Sequence, residues 1–183
     1  MDPKRAVRVS KLLSYGLRHE PGKLGLKLDD AGWAAVDRVL AALAAMGEPL
    51  SVDELIDVVV TSDKQRFALS EDRRRIRANQ GHSVPVQLDL PAREPPERLY
   101  HGTVDRFVPS IRERGLLRGS RTHVHLSIDE ATASVVAGRR RGKAVILTVR
   151  AAQMYRDGFV FHMSENGVWL TEHVPREYLD YPP

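Results

Sequence analysis

Gln65-Arg66-Phe67-Ala68-Leu69-Ser70-Glu71-Asp72-Arg73-Arg74-Arg75-Ile76-Arg77 carries alternating apolar and polar residues on both sides of a short polar stretch. Alternation at period two is strand spacing. It predicts antiparallel strands at residues 65–69 and 75–77, joined by a turn at 70–72. Phe67 and Leu69 fall on the face opposite Arg66, which points Arg66 to solvent or into a cleft. Three helices are predicted ahead of this hairpin. Val9, Leu12, Leu13, Gly16 and Leu17 recur at helical spacing and stop at Pro21-Gly22, so Arg18 and His19 sit at a helix C-terminus. Trp33, Val36, Val39, Leu40 and Leu43 predict a second helix ending near Gly47 and Pro49. Ser51 and Glu54 make a capping-box pattern before Leu55, Ile56, Val58 and Val59, which starts a third.

Three helices followed by a basic hairpin resemble a winged-helix module, an arrangement used for nucleic acid and also for protein contacts. Pro91, Pro95 and Pro96 then interrupt regular structure and mark a linker over residues 91–97. The rest is strand-rich, with strands predicted at 99–100, 124–127, 144–149, 159–163 and 168–171 and helices near 108–114 and 129–137. Ser164-Glu165-Asn166-Gly167 reads as the turn of a hairpin, because Asn-Gly tolerates the positive φ angles such a turn needs. The expected fold class is α+β, with an N-terminal winged-helix lobe over residues 1–90 and a mixed β lobe over 98–183.

The chain has 183 residues, 42% hydrophobic and 28% charged, which excludes a disordered tail. No apolar run approaches the roughly 18 residues of a membrane span, and the first 17 residues lack the apolar core of an export signal. Zero cysteines exclude disulfides, thiolate nucleophiles and Cys-based zinc sites, and suit a reducing compartment such as the cytoplasm. The net charge of +4 is uneven: residues 1–97 hold 15 Lys/Arg against 15 Asp/Glu, and residues 98–183 hold 13 against 9. Arginines crowd locally at Arg66 and Arg73 to Arg77, at Arg112, Arg114, Arg118 and Arg121, and at Arg139, Arg140, Arg141 with Lys143. Such clusters suit a polyanionic partner, although solvated surface charge accounts for many arginines in any protein.

In His123-Val124-His125-Leu126-Ser127, a strand would send His123, His125 and Ser127 to one face and Val124 and Leu126 to the other. His101, followed by Gly102 and Thr103, could converge on that wall. Two further readings of these histidines stay open, a metal site and plain structural hydrogen bonding. No carboxylate stands at a ligand-like spacing and the flanking arginines would repel a cation, so no metal is expected. Arg18, His19, Arg66 and Arg121 are four cationic or protonatable groups dispersed along the chain. Gathered together they would repel one another unless a dianion neutralised them, and phosphate matches the fork of a guanidinium.

Six blocks in order resemble the NAD-dependent RNA 2′-phosphotransferase family, which includes the tRNA 2′-phosphotransferases. They are Leu12-Leu13-Ser14-Tyr15-Gly16-Leu17-Arg18-His19, Asp63-Lys64-Gln65-Arg66-Phe67, Ile76-Arg77-Ala78-Asn79-Gln80-Gly81-His82-Ser83, Leu99-Tyr100-His101-Gly102-Thr103, Arg121-Thr122-His123-Val124-His125-Leu126-Ser127 and Ser164-Glu165-Asn166-Gly167-Val168-Trp169-Leu170. The resemblance implies a winged-helix RNA-recognition lobe, a linker and an ADP-ribosyltransferase-like NAD-binding lobe, with the chemistry in the cleft between the lobes. It implies that NAD+ is consumed and that RNA bearing a 2′-phosphate is the partner, with neither membrane nor metal and with the chain acting as a monomer. Arg18, His19, Arg66 and Arg121 correspond to the family's phosphate-site residues, with His19 as the candidate proton donor. His101, Gly102, Thr103, His125 and Ser127 would hold NAD+. Arg77, Gln80, Gly81, His82, Ser83, Arg139 and Arg140 would contact RNA. Val168 stands where many ADP-ribosyltransferases have a glutamate, with Glu165 nearby as the other candidate for that place.

Two other functions fit parts of the pattern. One is an ADP-ribosyltransferase acting on terminal phosphates of nucleic acid, halting after the first transfer. The other is a non-enzymatic winged-helix regulator that senses NAD+ or ADP-ribose, which leaves Arg18-His19 and the Asp63–Phe67 block without a purpose.

Overall fold

Asp2 opens the first helix, α1 (Pro3–Arg18), by accepting the Arg5 peptide N–H on its carboxylate at 3.1 Å, and Pro3 occupies a first-turn position that needs no donor. The computed structural model describes residues 2–62 and 64–182, which form two compact units, one within Met1–Asp89 and one within Leu90–Pro183. Asp63, the first residue of one of the quoted blocks, lies outside the described residues.

In the first unit, α1 buries Val9, Leu13, Gly16 and Leu17 at helical spacing and ends where Pro21 cannot continue it. A two-residue strand, β1 (Ala34–Ala35), leads into α2 (Val36–Ala45). The third helix, α3 (Val52–Val60), carries the expected capping box: Ser51 Oγ accepts the Glu54 N–H at 3.1 Å and Glu54 Oε2 accepts the Ser51 N–H at 3.0 Å. The hairpin follows as β2 (Phe67–Leu69) and β3 (Arg75–Ala78), with Phe67 opposite Ala78 and Leu69 opposite Ile76. β1 pairs on the other side of β3, giving an antiparallel sheet in the order β1-β3-β2. Leu17, Leu55 and Ile76, each with no solvent exposure, join the helices to this sheet in one core.

Trp33 departs from expectation. It precedes β1 instead of opening α2, because Ala34 and Ala35 extend to pair with Ile76 and Arg75. The indole then lies under two guanidinium groups, Arg77 at 4.5 Å and Arg75 at 5.4 Å from the ring centroid.

The second unit begins with β4 (Leu99–Val104), then α4 (Val108–Arg114), β5 (Leu116–Leu117), β6 (Val124–Leu126), α5 (Glu130–Ala137), β7 (Ala144–Val149) and α6 (Ala151–Arg156). It closes with β8 (His162–Met163), β9 (Trp169–Thr171), β10 (His173–Val174) and β11 (Leu179–Asp180). Its antiparallel sheets run β11-β7-β4, β6-β9-β8 and β10-β5. Reciprocal bonds between Tyr100 and Ser127, at 2.9 and 2.8 Å, stitch β4 to the end of β6. Leu99, Leu126, Leu147, Met154 and Phe161 form a second, separate core. The expected strand over 159–163 is shorter: the Phe159 N–H bonds the Met154 carbonyl at 3.0 Å and caps α6, so pairing starts only at His162. The chain is thus a mixed α/β protein of six helices and several small antiparallel sheets among the described residues.

α5 packs so closely on β4 that a Cβ on Gly102 would stand 2.0 Å from the Ala133 carbonyl oxygen. Backbone cannot yield there as a side chain would. Gly102→Ala is expected to destabilise the protein by about 1–3 kcal/mol through overpacking, read as a lower urea midpoint at unchanged slope.

Candidate functional site

The end of α1 supplies Arg18 as its last residue and His19 as its C-cap. Helix ends leave carbonyls without intrahelical donors. The Arg18 carbonyl is taken by the segment leaving β3: the Ser83 N–H reaches it at 2.9 Å and the Val84 N–H at 3.4 Å. The same segment is tied to β2, since the Arg66 carbonyl accepts the Asn79 N–H at 2.9 Å and Arg18 Nη2 at 3.3 Å. Arg18 also lies 5.9 Å from the Phe67 ring centroid. Its guanidinium packs on Gly81, where φ is +88° and a Cβ would meet Arg18 Nη1 at 3.7 Å. His19 Nδ1 stands 2.9 Å from Ser83 Oγ. Arg66 and His19 line one cavity of about 680 Å³ together with Tyr15, Lys11 and Lys64.

His82 sits behind this cluster, fully buried, with neither ring nitrogen hydrogen-bonded among the described residues. Its Nε2 lies against Gly32, where an added Cβ would come within 3.3 Å. Burial first, then the positive charge of Arg18, His19 and Arg77, push the His82 pKa down to about 4. The ring therefore stays neutral inside the protein, away from any surface that RNA could reach. Gly81 is likewise buried, Arg77 and Gln80 are half-buried, and Ser83 is exposed.

In the second unit the strand alternation places side chains as expected: Val124 and Leu126 are buried, at 3% and 1% exposure, while His123, His125 and Ser127 are half-buried. His123, His125, His101 and Thr103 line a cavity of about 410 Å³ with Arg121 and Arg140. Gly102 and Ser127 do not line it. Gly102 is the close-packing point under α5, and Ser127 is held by its backbone to Tyr100. His101 Nδ1 lies 3.0 Å from the His125 carbonyl. A carbonyl only accepts, so Nδ1 carries the proton and Nε2 keeps its lone pair. Burial lowers the His101 pKa, with Arg140 and Arg121 pushing the same way and the His125 carbonyl opposing them. His101 is accordingly a neutral imidazole.

Arg121 Nη1 comes within 3.4 Å of His125 Nδ1. Although Arg121 is largely exposed, its pKa is lowered, first by desolvation, then by Arg140 and Arg139. Burial, His162 and Arg118 lower that of His123. Arg114 and Arg118 also line the cavity, as does Phe107, over whose ring Arg140 lies at 5.3 Å. The arginine run signalled the charge of this wall, but nothing in the spacing tied Arg114, Arg118 or Phe107 to His101. Among the described residues no group of three His, Cys, Asp or Glu is arranged to hold a metal ion. No described helix is long and apolar enough to cross a membrane.

Each unit thus carries a cavity lined by arginine and histidine side chains. Residues 4–173 match the family described as RNA 2'-phosphotransferase, Tpt1 / KptA family. A Streptomyces coelicolor protein named "Probable RNA 2'-phosphotransferase" is 53% identical over 182 residues, covering 100% of this chain and 98% of its own length. Proteins of the same name from Rhodopirellula baltica and Burkholderia lata are 52% and 56% identical, over 98% and 95% of this chain and 97% and 90% of their own lengths. The chain belongs to the RNA 2′-phosphotransferase family of transferase enzymes.

The buried His82 gives a pH dependence whose sign is fixed. Its folded pKa, about 4, lies below its ordinary 6.5, so the unfolded chain binds the proton more readily between these values. Stability should be fully present above about pH 6.5 and fall as the pH drops toward about 4. His82→Gln should flatten that fall, measured as the urea midpoint against pH; an identical slope in the variant would remove His82 from the account.

Proposed function

We propose that this protein is an NAD-dependent RNA 2′-phosphotransferase that removes an internal 2′-phosphate from RNA in two transfers. The reading rests on the end of α1, where the side chains of Arg66 and His19 line one cavity and Arg18 bonds the Arg66 carbonyl beside them. Arg66 and His19 sharing one cavity with Lys11 and Lys64 suit a dianionic ligand, and a phosphate monoester supplies it. Full-length identity to relatives named for this activity points the same way. In this proposal the first unit is a winged-helix lobe that recognises RNA, and the second is an ADP-ribosyltransferase-like lobe that takes NAD+.

In the first step an oxygen of the RNA 2′-phosphate attacks C1″ of the nicotinamide ribose, the glycosidic C–N bond breaks, and nicotinamide departs. The phosphate is already anionic near neutral pH, so no strong base is needed, and an apolar Val168 in place of a glutamate fits that chemistry. In the second step the neighbouring 2″-hydroxyl releases its proton to solvent and attacks phosphorus, and the bond to the RNA 2′-oxygen breaks. That oxygen takes a proton, and the products are 2′-hydroxyl RNA and ADP-ribose 1″,2″-cyclic phosphate. Arg18, Arg66 and Arg121 are assigned to the charge on the phosphate oxygens, and His19 to the proton for the departing oxygen.

The donors of the second cavity suit NAD+ as substrate. His101, neutral with Nδ1–H committed to the His125 carbonyl, offers Nε2 as an acceptor to a ribose hydroxyl. Arg140 supplies positive charge for the phosphate oxygens of NAD+, with Thr103 and His125 on the same wall. Gly102 contributes by letting α5 approach β4, and Ser127 by fixing the end of β6. Arg77, Gln80, Ser83 and Arg139 are assigned to RNA, with binding expected to weaken steeply as salt rises.

The test supplies a 2′-phosphorylated oligoribonucleotide with and without NAD+. Loss of the 2′-phosphate, together with nicotinamide and the cyclic phosphate, should appear only with NAD+. A stable ADP-ribosylated product in the wild-type reaction would instead make the enzyme a simple ADP-ribosyltransferase. Arg18→Ala, Arg66→Ala or Arg121→Ala should each slow the second step by about 10²-fold or more and accumulate ADP-ribosylated RNA. Undiminished turnover in all three would refute the assignment.

A further inference from the structure

The segment that leaves β3 does more than end a strand. Gly81 adopts a left-handed turn against Arg18, His82 is buried behind it, and Ser83 emerges exposed next to His19. Three donors from this segment converge on the terminal carbonyl of α1: the peptide N–H of Ser83 at 2.9 Å, that of Val84 at 3.4 Å, and the hydroxyl of Ser83 at 3.4 Å. The same hydroxyl oxygen lies 2.9 Å from His19 Nδ1. A serine hydroxyl has one proton to donate and two lone pairs with which to accept. The hydroxyl is placed to donate to the Arg18 carbonyl; with its proton directed there, Ser83 Oγ meets His19 as an acceptor and Nδ1 carries hydrogen.

We propose that Ser83 is the positioning residue that fixes the tautomer of His19, holding Nδ1 as the donor and assigning proton exchange to Nε2. The inference rests on the phosphotransferase reading for its consequence and adds to it a residue that acts through another. The neutral ring then has Nδ1–H bonded to Ser83 Oγ and a lone pair on Nε2. Protonation at Nε2 gives an imidazolium in which the Nδ1–H bond is unchanged, and the Nε2 proton is the one delivered to the RNA 2′-oxygen as its bond to phosphorus breaks. The ring keeps one orientation through the cycle because the bond that holds it is made in both charge states. The backbone of Ser83 is pinned to the helix end, and the residue before it, His82, is buried.

The test reads the tautomer directly. Histidine-labelled protein is examined by ¹⁵N NMR above the His19 titration, with the His19 signals assigned by their loss in His19→Gln. The wild type should show a protonated Nδ1 and an unprotonated Nε2. Ser83→Ala, which removes only an exposed hydroxyl, should convert this to a mixture of tautomers, and Ser83→Thr should restore the single form. With 2′-phosphorylated RNA and NAD+, Ser83→Ala should leave the apparent KM for NAD+ unchanged. Its second transfer should slow by roughly 10- to 100-fold, part of the ~10²–10⁴-fold that a positioned acid supplies. A wild-type His19 protonated on Nε2, or unchanged His19 signals in folded Ser83→Ala, would overturn the proposal. Absence of turnover by the wild type would refute the phosphotransferase reading while leaving the tautomer seen by NMR unaffected, so the two failures are told apart.

Discussion

The first unit depends on how one carbonyl is satisfied. Arg18 ends α1, and its C=O would be left without a partner in a half-buried setting, an arrangement that costs stability wherever water is excluded. The N–H groups of Ser83 and Val84 supply the missing donors and dock the exit of the hairpin on the helix end. Everything chemical in that unit follows from the docking. It places Ser83 Oγ beside His19, lays Gly81 under the Arg18 guanidinium, and lets that guanidinium bond the Arg66 carbonyl. A residue with a side chain at position 81 would be strained by its left-handed φ, although its Cβ would meet Arg18 only at ordinary contact distance.

Much of the charge in both units is carried by guanidinium groups. Burial and neighbouring cations depress the pKa values of His82, His101 and His123, so these rings are neutral near pH 7. Arginine stays protonated across that range. The guanidinium charge of each cavity is therefore insensitive to pH near neutrality, while the neutral rings of His82, His101 and His123 add none to it. A lysine in place of Arg18 could bring charge to the site, but not the planar fork that at once stacks on Phe67 and reaches the Arg66 carbonyl.

Much of this was written in local pattern. The periodicity of Val9 to Leu17, the capping box at Ser51 and Glu54, the alternation around Phe67 and Val124, and the Asn166-Gly167 turn each depend on neighbours within a few residues, and the structure has all of them. The misses share the opposite property. Trp33 fits helical spacing with Val36 and Val39, yet Ala34 and Ala35 are drawn out by pairing with Ile76 and Arg75, some forty residues away in sequence. β5, β10 and β11 are two-residue strands that exist only through partners distant in sequence, and α6 is short enough that periodicity could not announce it.

The candidate sites divide in the same manner. That Arg18 and His19 end a helix could be read from Pro21-Gly22, and that His123 and His125 share a face could be read from period two. That His82 turns inward could not. Its neighbours Gly81 and Ser83 are polar or small and the segment has no period, so only the tertiary position of Gly32 explains why an imidazole fits there with no Cβ opposing it. The inward turn has a consequence for its neighbour. With His82 inward and its own peptide N–H on the Arg18 carbonyl, Ser83 emerges where its hydroxyl meets the His19 ring.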